Sequence, residues 1–114
     1  MAQKFLYRFG YCTPLQWAAN DTHGWDDESS GAVVIKADSA QDALRWGREV
    51  AAAFVARLFD QSGRTEPTRW PEADFANWIE ENPTKVFSEE QLAAVPVVAF
   101  GEIPDFTAWQ ANNK

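Results

Sequence analysis

Cysteine, histidine and methionine each occur once in this chain of 114 residues. The lone Cys12 closes no internal disulfide, and the lone His23 cannot supply the Cys and His cluster on which a zinc site is built. Positive charge is scarce as well: ten Lys and Arg stand against seventeen Asp and Glu, for a net charge of -7. Those cations are scattered among carboxylates with no basic stripe, so neither nucleic acid nor an anionic membrane surface is an expected partner. An apolar stretch such as Ala51 to Ala56 is far shorter than the roughly 20 residues a bilayer crossing needs. The first ten residues hold no apolar segment of signal-peptide length, and with a single cysteine the cytoplasm is the expected compartment. A Gly-rich phosphate loop, a G-x-S-x-G elbow and an H-E-x-x-H pair are all missing, so no cofactor is expected.

Aromatic residues, by contrast, are plentiful: six Trp, eight Phe and two Tyr, against five Leu and three Ile. Phe5, Tyr7, Phe9 and Tyr11 alternate with other types from Lys4 onward, which predicts a strand with an aromatic core face that stops near Thr13 before Pro14. Ala18 to Gly31 has no apolar period and is rich in turn formers, so it reads as a long loop. Ala32 to Ala37 is β-branched at its centre and reads as a second strand. Ser39 then opens an S-x-x-D cap, and Leu44, Gly47, Ala51, Phe54, Val55 and Leu58 recur at helical spacing, predicting a helix from Ala40 to about Asp60 ended by Gly63. Gly47 falls on the buried stripe, where tight packing is expected. Pro71, with Phe75, Trp78 and Ile79 on one face, predicts a short helix that stops at Asn82 and Pro83. Ser88 and Gln91 form a capping box for a third, very short helix. Val97 to Ile103 reads as a last strand closed by Pro104.

The expected fold class is therefore α+β: a two-layer sandwich with a three-stranded mixed sheet, element order β-β-α-α-α-β, and one long helix packed on one face. The last two strands are expected to run parallel, with the first strand antiparallel between or beside them. Residues 1–110 form one domain in this reading, and 111–114 fray as a polar tail.

The first chemistry candidate is the acidic segment holding Asp21, His23, Asp26, Asp27 and Glu28. Several oxygen donors close in sequence suit a hard cation, yet the D-x-[DN]-x-[DN]-G spacing is missing, so these five are weak metal candidates. Cys12 reads as a packed, inert thiol rather than a nucleophile. Glu89 and Glu90 belong to a first helical turn, whereas Glu80 and Glu81 fall near a helix C-terminus, where the dipole opposes them. The core absorbs Phe5, Phe9, Phe54 and Phe100, but Trp25 and Trp70 fall outside any periodic segment. Indole is costly to leave in water and is enriched among the residues that carry binding energy.

Charge and Trp content together point to a small acidic protein-binding or accessory module of the inhibitor or immunity type. Its contact surface is expected at Trp25, Asp26, Asp27, Glu28 and Trp70, and its partner is expected to be a basic protein. No catalytic residue is assigned. Two other readings stand beside it: a small metal-dependent hydrolytic enzyme using residues 21 to 28, and a homodimer whose seam is the aromatic surface.

Overall fold

A computed structural model describes residues 2–25, 28–73 and 75–106. In it β1 (Gln3–Tyr11) pairs antiparallel along its whole length with β2 (Ser29–Ala37). Alternation sends Tyr7, Phe9 and Tyr11 to one face, where their rings follow one another with centroids 5.8 and 5.6 Å apart. Across the ladder Val33 and Ile35 join them, and both are fully buried.

That face is covered by the long helix α2 (Ala40–Ser62), counting a ten-residue helix α1 (Pro14–His23) before it. Ser39 caps α2 by accepting the Asp42 N–H at 3.1 Å, and Gly63 ends it in the left-handed region at φ 72°. Val50, Ala51, Phe54, Val55 and Phe59 line its buried stripe. Gly47 sits on that stripe because a Cβ there would lie 2.4 Å from the Tyr7 ring. Gly31 does the same for Phe9, whose ring would meet a Cβ at 2.5 Å. The expected close approach at Gly47 is thus a backbone resting on a tyrosine ring.

The sheet has four strands in the order β3-β1-β2-β4, not three. β4 (Val97–Ala99) runs parallel to β2, and β1 lies antiparallel beside β2, as the sequence predicts. The added strand is β3 (Asn77–Glu80), which pairs antiparallel with the free edge of β1. It replaces the helix expected after Pro71, of which only a single 3-10 turn at Trp70–Glu72 forms. Four apolar or amphipathic residues fit either period, and tertiary pairing decides: Ile79 lies opposite Tyr7 on the core face, while Trp78 and Glu80 take the other. Glu80 therefore ends a strand and Glu81 follows it, so neither lies at the helix C-terminus expected there.

Two short helices follow, α3 (Pro83–Val86) and α4 (Glu89–Ala94). α4 has the expected box, with the Ser88 hydroxyl accepting the Gln91 N–H and the Gln91 side chain accepting the Ser88 N–H. β4 is shorter than expected, because Gly101 turns the chain at φ 92°. Phe100 consequently leaves the core: it is 44% exposed and rests on Trp46 at 5.6 Å, with the Arg45 guanidinium 5.2 Å from its ring. Cys12 is a buried cysteine. Among the described residues no helix is long and apolar enough to cross a membrane. The expected tail at 111–114 lies outside the described residues.

Candidate binding cleft

The segment read as a loop from Ala18 is helical as far as His23. Its start is a full capping box: the Thr13 hydroxyl accepts the Gln16 N–H at 3.1 Å, and the Gln16 side-chain oxygen accepts the Thr13 N–H at 2.9 Å. Pro14 occupies the first turn, where its missing N–H costs nothing. The same Gln16 oxygen accepts the Ser29 hydroxyl at 3.0 Å, tying α1 to β2. T-P-L-Q was the sequence signal for this helix. Its polar body concealed it, because little of α1 is buried beyond Pro14.

Gly24 closes α1 at φ 69°, its N–H donating to the Asn20 carbonyl at 2.8 Å. The left-handed turn brings Trp25 back over the last helical residue. His23 and Trp25 stack with centroids 4.3 Å apart and planes 21° from parallel. Trp25 nevertheless stays 52% exposed.

Below this ring lies an open cleft of about 840 Å³. α1 forms one wall through Trp17, Asn20 and Asp21, and Trp25 and Glu28 stand on the chain that leaves it. The facing wall is Phe59 from α2 with Arg64 and Pro67 beyond its end, and Phe75 closes the third side. Trp17 meets Phe75 edge to face at 6.4 Å, which fixes two of the rings. Cys12 contributes to the lining as an apolar wall, with Asn20 Nδ2 3.8 Å from its sulfur. Among the described residues Asp21, Glu28 and Arg64 form no ion pair. Tyr11 lies just before Cys12, and burial pushes its hydroxyl above the usual tyrosine range against a hydrogen bond with Ser29.

The sequence-predicted contact residues separate. Trp25 and Glu28 share the cleft, and Asp26 and Asp27 lie outside the described residues. Trp70 does not face solvent. It is 3% exposed, its indole N–H donates to the Gly10 carbonyl at 2.8 Å, and its ring meets Phe9 edge-on at 5.8 Å. Its own domain uses the polar handle that sequence left unassigned. Of the weak metal candidates, Asp21 and His23 sit on the last turn of a helix, and among the described residues no three Asp, Glu, His or Cys side chains gather. Sequence reasoning missed Trp17, Arg64 and Phe75, which only the fold brings together.

No family model, curated protein or solved structure matches this chain.

A second constellation lies on the sheet face away from α2. Arg8 projects between Trp78 and Phe87, its guanidinium carbon 5.0 and 5.2 Å from their ring centres. Glu80 holds it at 3.6 Å and accepts the Trp78 indole N–H at 3.0 Å. That indole bond, above all, holds the Glu80 carboxyl below the usual carboxylate range, with a backbone bond from Asn82 and the Arg8 charge acting the same way against desolvation.

Proposed function

We propose that this chain is a small protein-binding module whose contact surface is the cleft beside α1, and that its partner is basic. One observation carries the reading: a half-exposed Trp25 stands at an aromatic cleft that also presents the carboxylates of Asp21 and Glu28, which among the described residues form no ion pair. Concave pockets with apolar walls and a few polar groups are where proteins place recognition, and exposed indoles supply contact energy there. The overall charge of -7 speeds encounter with a positive surface.

The test is affinity capture on the immobilised chain followed by measurement of binding to each purified protein recovered. A basic partner is expected, with binding that weakens as salt is raised and falls by about tenfold or more in Trp25→Ala, the size of effect typical for a truncated anchor. Binding unaffected by that substitution, or insensitive to salt, would remove this cleft from the account.

A further inference from the structure

We infer that the cleft receives an arginine side chain of the partner, stacked on its indole and phenyl rings with the guanidinium toward Asp21 and Glu28. The inference rests on the binding reading above and names what the cleft recognises.

The molecule itself shows how these residue types hold a guanidinium. On the opposite sheet face a guanidinium lies between two aromatic rings at 5.0 and 5.2 Å and pairs with a carboxylate at 3.6 Å. Arg45 over Phe100 at 5.2 Å repeats the ring contact without the full box. The cleft has the same host groups: Trp17, Trp25 and Phe75 as rings, Asp21 and Glu28 as acceptors. The guest is what differs. The one arginine in the lining, Arg64, belongs to the facing wall and pairs with neither carboxylate, so among the described residues the host carries two acceptors for a charge it does not itself provide.

Chemistry then selects among cations. A guanidinium is planar, weakly hydrated, stacks on indole faces and offers a fork of donors that matches a carboxylate, whereas an ammonium is a strongly hydrated point charge. A cleft whose lining combines Trp17, Trp25 and Phe75 with two carboxylates favours the planar ion. The volume of about 840 Å³ exceeds what one side chain fills, so the arginine enters on an extended segment whose neighbouring residues lie along α1 and Phe59.

The test uses the full chain labelled with ¹⁵N and three capped tripeptides, Gly-Arg-Gly, Gly-Lys-Gly and Gly-citrulline-Gly, followed by the indole N–H signals, with Trp25 assigned by its loss in Trp25→Ala. Gly-Arg-Gly is expected to shift the Trp25 signal saturably and to bind at least about threefold more tightly than the lysine peptide. Citrulline keeps the shape and loses the charge, and should bind about tenfold more weakly. The Asp21→Asn/Glu28→Gln double variant keeps the surface shape and should lower arginine affinity by about tenfold, with its amide spectrum otherwise unchanged. Equal affinity for arginine and citrulline, or no loss in the double variant, overturns the arginine inference while leaving a peptide-binding cleft. Failure of all three peptides to move the Trp25 signal overturns the arginine inference, and the salt dependence of capture and its loss in Trp25→Ala decide the binding reading separately.

Discussion

Tyr7 shows how much of this fold is decided by single contacts. Its ring is fully buried and pressed against the backbone of Gly47, yet its hydroxyl has no hydrogen-bond partner among the described residues. Burial drives the hydroxyl far above the usual tyrosine range, against the nearby Arg48 charge, so it stays neutral throughout the working range of pH. A buried, unbonded hydroxyl is a net cost of about 1 to 3 kcal/mol. Tyr7→Phe keeps the ring on Gly47 and removes only that group, so the variant is expected to be more stable by about 1 kcal/mol, a rise of some 4 °C or more in Tm. Calorimetry settles the matter, and a less stable variant would mean that the hydroxyl is bonded through buried water. The same scale explains what sequence alone could and could not show about Trp. Trp25 was legible as a ring outside regular structure because its own turn holds it. Trp70 was not, because the acceptor for its indole is Gly10, 60 residues away.

Among the elements, β3 depends most on one polar fastening. It is four residues long, pairs among the described residues only with β1, and is pinned to it by Arg8, Trp78 and Glu80. A carboxyl whose pKa is lower in the folded than in the unfolded state stabilises the fold above the unfolded value and loses that contribution as pH falls through the folded one. For Glu80 the loss begins below the ordinary 4.5 and is complete only in stronger acid. Glu80→Gln should therefore be less stable than the parent at neutral pH, and the gap should close as the solution is acidified. Urea unfolding across that range checks it; a gap independent of pH would assign the loss to packing. Legibility also varied element by element. α2 was clear because its 23 residues repeat one apolar period between a serine cap and a glycine stop. β1 was clear from strict alternation. α1 was hidden because its evidence lay in its cap and not in a buried stripe, and β3 because four residues carry no decisive period. The cleft falls between those two hidden segments, which is why its rings were only partly foreseen.

For the molecule as a whole, charge and exposed apolar surface oppose each other. Val97, Phe100 and Ile103 are each between 44 and 49% exposed in the segment that follows α4. β4 is also an edge strand, the position from which sheets join to one another. That route is closed here: the strand is three residues long, Pro96 precedes it, and the Ala99 N–H donates to the Glu102 carboxylate at 2.7 Å instead of standing open. The apolar patch remains, restrained by a net charge of -7 that every copy shares. At neutral pH and low salt the chain is expected to scatter light as a monomer. As pH approaches the isoelectric point near 4.5 the repulsion disappears, while the Glu80 fastening still holds, so reversible association of the folded chain should set in. Phe100→Ser with Ile103→Ser should move its onset to higher protein concentration by severalfold while leaving the neutral-pH scattering unchanged, since about 25 cal/mol for each Å² of apolar contact is lost from every pair formed. Association with the same onset in that double variant would place the contact elsewhere, and the acidic aromatic cleft beside α1 would be the next surface to alter.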